Sequence, residues 1–254
     1  MKNMTWLMDS HIHLSDPQYD SDMEYIKKSM EKLHIKACCV SMDYENSIKT
    51  IEISKSNSLI LPFIGIHPEK ALEKQDSVVD LINENHASIA GIGEIGLDRT
   101  YTENESEFLK QKKVFEEQLS LAEKYDKPVS IHSRKTLDEI FDVMTSYSLD
   151  KALLHWFDGS KKQLQKAMDL NFYVSYGPVM IYAQDKQTLL SNTTEEKILV
   201  ETDGPVRFSR CFALKSAQIS FIPSVVFCAS KVLRKTYDEM CTLIEKNSNA
   251  YLGV

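Results

Sequence analysis

The sequence lacks a long apolar run, a paired-cysteine motif and an excess of positive charge. No apolar stretch approaches the ~20 residues of a transmembrane helix. Residues 1–10 lack the apolar core and small-residue cleavage site of a signal peptide. We therefore predict a cytoplasmic protein without membrane association. The net charge of −7 argues against a protein whose whole surface binds nucleic acid non-specifically, although it is compatible with a local basic patch.

Cysteine is present but not in the spacings of a metal or redox motif. Cys38 and Cys39 are adjacent, and Cys211, Cys228 and Cys241 are scattered, so no CxxC pair occurs. An odd count without pairing predicts reduced thiols in the core rather than disulfides or metal ligands.

Short β-type runs alternate with longer helical patterns along all 254 residues, without a linker, repeat or break in composition. We therefore predict one domain spanning residues 1–254. The predicted strands are 6–9, 36–41, 61–66, 88–93, 128–132, 151–156, 172–176 and 197–201. The predicted helices are 22–33, 45–57, 76–85, 105–125, 136–147, 160–169 and 184–192, with two more between 222 and 252.

This alternation predicts the α/β class with parallel strands. Closing eight βα units gives a TIM (β/α)8 barrel, for which about 250 residues is typical. We predict a barrel of the metal-dependent hydrolase type, with an open doubly wound sheet as the alternative.

Polar residues fall where predicted strands end, which is where TIM-barrel active sites lie. They are His11 and His13 after the first strand, His67 after the third, Glu94 after the fourth, His132 and His155 closing the fifth and sixth, and Asp203 after the eighth. Taken singly, each also fits an ordinary role as a loop residue, core histidine or turn former. Their shared position predicts that they converge at one barrel mouth.

The spacing of His11 and His13 is the clearest metal signal, because residues two apart in an extended chain point to the same side. Two adjacent imidazoles suit a metal ion, with zinc–nitrogen bonds of about 2.0–2.1 Å. A carboxylate at Glu94 is able to bridge two cations, and one at Asp203 is suited to act as general base towards a metal-activated water. Four histidines and two carboxylates exceed one tetrahedral ion, so we predict one or two divalent ions (Zn²⁺, Mn²⁺ or Mg²⁺), a pair lying about 3.5–4 Å apart.

Six motifs in this order, MDSHIHL, GIHPE, GEIGLD, IHSR, HWFDGS and ETDGP, resemble the TatD family of metal-dependent deoxyribonucleases in the amidohydrolase superfamily. The resemblance spans nearly the whole chain and implies hydrolysis of DNA phosphodiesters. The family's metal-binding pattern falls on His11, His13, Glu94, His132, His155 and Asp203. Asp203 also matches the family's proposed catalytic acid. We predict Asp203 and the bridging carboxylate of Glu94 as the catalytic residues. His67 matches a pocket histidine that we assign to substrate phosphate.

The substrate-facing loops depart from this pattern. After the strand-six histidine the family commonly has a small residue or cysteine followed by Phe-Ser, whereas Trp156, Phe157 and Asp158 stand here. Arg99 replaces a common tyrosine after GLD, and the stretch after ETD is GPVRFSRCF rather than an APY-type sequence.

Further substrate-binding residues are predicted around the mouth. Arg134 and Arg207 are candidate phosphate contacts, and Trp156, with Phe157, is a candidate for stacking a base. We predict DNA ends or single strands as substrate and no obligate protein partner. The alternatives are a hydrolase of a small ester, lactone or amide on the same barrel, and a non-enzymatic binding protein.

Overall fold

A computed structural model describes residues 5–73 and 76–254, and over these residues the chain forms an eight-stranded parallel barrel surrounded by helices. The predicted TIM barrel is confirmed. The predicted domain, 1–254, includes residues 1–4, 74 and 75, which lie outside the described residues. Within the described ranges, no helix has both the length and the apolar character needed to cross a bilayer.

Each strand pairs in parallel with the next one along the chain. The strands are β1 (Leu7–Ile12), β2 (Ile35–Val40), β3 (Ile60–Ile64), β4 (Gly91–Asp98), β5 (Val129–Arg134), β6 (Ala152–Leu154), β7 (Tyr173–Tyr176) and β8 (Ile198–Val200). Most of their residues are buried, because the side chains face either the barrel interior or the surrounding helices.

Helices follow the strands in alternation, as the sequence pattern predicts. They are α1 (Met23–Leu33), α2 (Tyr44–Ser56), α3 (Asp76–Asn85), α4 (Glu105–Lys124), α5 (Leu137–Met144), α6 (Lys161–Asp169), α7 (Gln184–Ser191), α8 (Ile222–Val232) and α9 (Tyr237–Leu252). α9 sends Tyr251 into a cluster with Met8, Phe63 and Leu199, so the last helix packs against residues of three strands.

Hydrogen bonds connect the segment after β8 to β1 at the end of the barrel where the predicted site residues lie. The Asp203 amide donates to the His11 carbonyl over 2.9 Å. The buried Asp9 carboxylate accepts hydrogen bonds from the Thr202 amide (3.0 Å) and hydroxyl (2.5 Å). Burial raises the pKa of Asp9 to about 8, although the Thr202 hydrogen bonds lower it. A side chain therefore helps to hold the two ends of the sheet together beside the candidate site.

Three strands run further than predicted, and β5 is one of them, since it ends at Arg134 rather than at His132. β1 continues to Ile12 and β4 continues to Asp98, so His11 and Glu94 lie within strands rather than after them. The pairing register shifts between Asp9 and Ile12 in β1. It also shifts in β4, across Glu94. Such irregularities occur beside active sites and change the direction in which a side chain points.

The prediction of core cysteines is wrong for Cys211, which is exposed. Cys38, Cys39 and Cys241 are buried, Cys228 is half-buried, and all five are free thiols.

Candidate metal centre

His11 and His13 face each other at the carboxyl end of β1. Their Nε2 atoms are 3.3 Å apart, and the two rings are nearly perpendicular. The far side of the His11 ring is fixed, because its Nδ1 lies 2.8 Å from the hydroxyl oxygen of buried Ser130 on β5. The His11 ring also stacks on His155, with 3.7 Å between centroids.

The Glu94 carboxylate stands between two sets of imidazole nitrogens. Its Oε2 is 3.4 Å from His11 Nε2 and 3.3 Å from His13 Nε2. Its Oε1 is 2.9 Å from His132 Nδ1 and 2.8 Å from His155 Nε2. Each oxygen of one buried carboxylate therefore serves a different pair of histidines.

Asp203 completes the first set. Its Oδ1 is 3.6 Å from the Nε2 atoms of both His11 and His13. A tetrahedral zinc ion with bonds of about 2.0–2.1 Å separates its donor atoms by about 3.3–3.4 Å. The donor atoms of His11, His13 and Glu94 are spaced closely enough to this to hold a divalent ion, and Asp203 Oδ1 lies beside both imidazoles. Glu94 Oε1 lies at hydrogen-bond distance from His132 Nδ1 and His155 Nε2. For a second cation to bind among these three atoms, they would have to move slightly apart.

Charge also favours a cation here. Burial alone would lower the pKa of His13, but hydrogen bonds to Asp203 and Glu94 raise it to about 9. Burial opposes ionisation of Glu94 as well, yet the surrounding histidines hold its pKa well below the usual range. His11 differs, because burial and the neighbouring His155 lower its pKa to about 4. The two carboxylates that hold a proton on His13 would equally attract a divalent cation.

His132 is oriented by a carboxylate that the sequence reasoning left unassigned. Its Nε2 is 2.9 Å from Oδ2 of Asp98, which is fully buried at the end of β4. Burial would raise the pKa of Asp98, but the hydrogen bonds from His132 and Thr100 lower it. A carboxylate behind an imidazole fixes the ring and strengthens it as a metal ligand. In the sequence Asp98 is only the last residue of the GEIGLD motif, which does not reveal its partner.

His155 has a second unassigned acid near its ring. Its Nδ1 lies 3.8 Å from Oε1 of Glu201 and has no hydrogen-bond partner among the described residues. Glu201 is fully buried and accepts hydrogen bonds from the Trp156 amide (2.8 Å) and the Ser175 hydroxyl (2.5 Å). Glu201 therefore fixes the backbone directly after His155. The ETD motif alone does not predict this role.

His67 borders the same site in a different chemical form. Its Nδ1 accepts a hydrogen bond from the Glu69 amide over 3.1 Å, so the proton of the neutral ring sits on Nε2. Nε2 lies 3.5 Å from Glu94 Oε1. Burial lowers the pKa of His67 to about 4, although the Glu94 charge opposes this shift. A neutral ring with this tautomer presents a hydrogen-bond donor to the site.

These side chains surround a cavity of about 490 Å³. The lining includes His13, His67, Glu94, His132, His155 and Asp203, together with Tyr101, Arg134, Trp156 and Val206. The structure thus brings most of the predicted residues to one mouth, with His11 directly beneath it.

Two candidate substrate contacts, Arg207 and Phe157, lie elsewhere than expected, and Arg99 points away from the cavity. Val206, not Arg207, borders the cavity, and Arg207 is exposed on the following loop. Phe157 is 1% exposed and packs in the core, so it presents no free face. Arg99 points to α4 and α5, where it pairs with Glu105 and Glu139.

The chain is similar to known proteins over nearly its whole length. The sequence model of the family described as TatD related DNase matches residues 8–253. An uncharacterized metal-dependent hydrolase of Bacillus subtilis, YabD, is 26% identical over 250 residues, which cover 95% of this chain and 97% of that protein. The human deoxyribonuclease TATDN3 is 28% identical over 213 residues, or 78% of each chain.

Among solved structures, the TatD homologue YjjV from Escherichia coli superposes with a TM-score of 0.89. The two proteins are 22% identical, and the match covers 98% of each chain. At that identity the likeness establishes a shared fold.

Proposed function

Because this chain belongs to the family of TatD related DNases and is a metal-dependent hydrolase of that family, we propose that it hydrolyses phosphodiester bonds of DNA, at strand ends or in single strands. The proposed metal ligands are His11, His13, Glu94, His132, His155 and Asp203. The similarity to human TATDN3, a deoxyribonuclease, supports DNA as the substrate.

One observation carries the proposal. The two oxygens of Glu94 face His11 with His13 on one side and His132 with His155 on the other. This arrangement suits a carboxylate that bridges two cations. When bound, divalent cations would supply Lewis acidity towards the phosphoryl group and the attacking water.

Asp203 is the proposed general base. Its side chain is 10% exposed, so it reaches the cavity while remaining largely shielded from solvent. Its amide is held by the His11 carbonyl, which fixes the carboxylate beside the metal-facing imidazoles. In that position it accepts the proton of the attacking water and returns one to the leaving oxygen.

His67 and Arg134 are the proposed contacts to substrate phosphate. The Nε2–H of neutral His67 is a donor at the wall of the cavity. Arg134 is the last residue of β5, borders the same cavity and is exposed, so its guanidinium is free to contact an anionic strand. Arg207 lies further out and would contact only a longer strand.

The size of the cavity supports action on single strands or ends. A volume of about 490 Å³ is that of a small-ligand site. A single nucleotide belongs to this class of ligand. We therefore propose that a strand presents one unpaired nucleotide at a time to the cavity.

An activity panel on the metal-loaded protein tests the proposal. The substrates are 3′-labelled single-stranded DNA, the matching duplex, RNA, and a small lactone and amide. We expect chelator-sensitive release of nucleotides from single-stranded DNA and much slower cleavage of duplex interiors. Chelator-sensitive hydrolysis of the lactone or amide with intact DNA would favour the small-molecule alternative. Stoichiometric metal binding without turnover of any substrate would favour a binding protein.

A further inference from the structure

Trp156 holds an unusual position directly after His155. It lines the cavity with His13 and Asp203 and keeps part of its surface exposed. Its φ of 42° lies in the left-handed region, which bulky residues rarely adopt. The conformation must therefore be held by the surrounding structure.

Contacts from two strand ends and one helix hold this segment. The Trp156 amide donates to Glu201 Oε1 over 2.8 Å. The Phe157 amide donates to the Ser175 carbonyl over 3.3 Å. Lys186 on α7 is buried, donates to the Phe157 carbonyl over 3.2 Å and forms an ion pair with Asp158. The backbone that carries the indole is therefore fixed on both sides.

The indole is also supported from one side by Phe208. The two rings are nearly parallel, with centroids 5.4 Å apart and an interplanar angle of 23°. Phe208 is 3% exposed, and its carbonyl accepts a hydrogen bond from the Leu214 amide over 2.8 Å, which fixes the loop that presents it. Because Phe208 is buried and its loop is hydrogen-bonded, we expect little side-chain entropy to be lost when a flat ligand stacks on the indole.

We propose that Trp156, backed by Phe208, is a stacking platform for a nucleobase of the bound substrate. The inference rests on the proposed function and names the part of the substrate that this wall recognises. Because the platform shares a cavity with Asp203, the base belongs to a nucleotide beside the scissile phosphate. Stacking on a π face accepts every base, so we expect little sequence preference beyond stronger binding of purines.

This assignment distinguishes Trp156 from its neighbour. Phe157 is buried and packs beneath the loop. From the sequence alone, either aromatic residue could have had this packing role. Trp156 instead borders the cavity at a position where the family pattern commonly has a small residue or cysteine. The platform is therefore a feature of this chain's own loop sequence.

Tryptophan fluorescence tests the platform independently of catalysis. The chain has two tryptophans, and Trp6 packs against His34 and Lys36, away from the cavity. In a Trp6→Phe background Trp156 is the sole reporter. We expect dAMP to quench its emission saturably in the metal-loaded protein, more strongly than dCMP. We expect 2-deoxyribose 5-phosphate, which lacks a base, to leave the emission unchanged.

Variants then measure the contribution of the platform. Trp156→Ala in the otherwise natural chain should raise the Kd for dAMP roughly 5- to 100-fold and leave the Kd for 2-deoxyribose 5-phosphate nearly unchanged. Trp156→Phe should retain most of the affinity, and Phe208→Ala should lose part of it. Phe227→Ala, at an exposed aromatic residue on α8, is the matched control and should bind dAMP normally.

The outcomes separate this inference from the proposed function. Saturable quenching by dAMP supports the platform even if DNA is not hydrolysed, in which case only the proposed function fails. If DNA is hydrolysed but dAMP and the base-free sugar phosphate act alike on fluorescence, the platform is overturned. Equal dAMP affinity in folded Trp156→Phe and Trp156→Ala proteins and in the natural chain would also overturn it.

Discussion

At the scale of single residues, the candidate centre depends on groups that position its histidines, either by a contact to the imidazole ring or by a hydrogen bond to the adjacent backbone. Ser130 holds His11, Asp98 holds His132, and Glu201 fixes the backbone after His155. Such contacts orient a ring before any ligand arrives, which reduces the cost of assembling a metal site.

Asp98→Asn tests this positioning. The amide keeps the size of the carboxylate but not its charge, so His132 becomes a weaker and less well oriented ligand. We expect metal affinity to fall about 10- to 100-fold, measured by competition with a chromophoric chelator. Asp238→Asn, at an exposed position on α9, is the control and should bind metal normally. Unchanged affinity in Asp98→Asn would show that the contact is only structural.

Asp203→Asn tests the general base. An amide cannot take a proton from water, so kcat at saturating metal should fall about 10²- to 10⁴-fold, measured on single-stranded DNA. Circular dichroism and the melting temperature should stay close to those of the natural chain, and metal content should be determined in parallel. Near-normal turnover in the metal-loaded variant would refute the assignment.

The sequence predicts individual site residues when their position in a strand is unusual. A histidine that ends an apolar strand, such as His132 or His155, stands out because the core does not need it there. Asp9, Asp98 and Glu201 did not stand out, because an acid near a strand end also fits a turn. Their roles depend on partners up to 193 residues away, and sequence spacing does not contain that information.

At the scale of elements, the irregular stretches of β1 and β4 matter most. A regular strand would alternate its side chains strictly between the barrel interior and the helices. The register shifts next to His11 and Glu94 break this alternation where the two side chains must enter the mouth. The helices and most strands lie within a few residues of their predicted bounds, because periodicity determines them. The two irregular strands do not, because an irregularity has no clear periodic signal.

Gly96→Ala tests the geometry of β4. Gly96 has a φ of +147°, and an added Cβ would lie 2.1 Å from the His132 carbonyl oxygen. We expect a loss of roughly 2–4 kcal/mol in the free energy of unfolding, measured by urea denaturation. Gly177→Ala is the matched control, because its Cβ would meet nothing closer than 3.6 Å and its φ is ordinary. Equal stability of the two variants would contradict this account of β4.

At the scale of the whole molecule, the chain and its proposed substrate, DNA, are both negatively charged. The net charge is −7, yet Arg134 stands exposed at the rim of the cavity, with no carboxylate within ion-pairing distance among the described residues. Binding should therefore depend on a few local phosphate contacts rather than on the overall field.

Arg134→Ala tests this local electrostatic contact. The logarithm of the binding constant for single-stranded DNA falls with the logarithm of salt concentration by about 0.7 per phosphate contact. Removing Arg134 should reduce that slope by about 0.7, measured by fluorescence anisotropy in an Asp203→Asn background that does not cleave the probe. Arg234→Ala, at an exposed position between α8 and α9, should leave the slope unchanged. A slope equally unaffected by Arg134→Ala would exclude this contact.

The barrel as a whole could be predicted, because eight alternating units of this length have few ways to bury their strands. The shape of the loop after β8 could not. Phe208 contacts Trp156 in a loop that folds back on itself, with an isolated antiparallel bridge between Arg207 and Ser216. The arrangement of the substrate-facing wall is therefore seen only in the structure, whereas the position of the barrel mouth could be predicted from the sequence.

We propose that six side chains converge at the barrel mouth to bind divalent cations. Anomalous diffraction from a crystal grown with Mn²⁺ or Zn²⁺ tests it most directly. We expect a peak bounded by His11, His13, Glu94 and Asp203, and a second peak beside His132 and His155 if two ions bind. A well-ordered site without an anomalous peak, with the imidazoles and carboxylates turned away from one another, would contradict the claim.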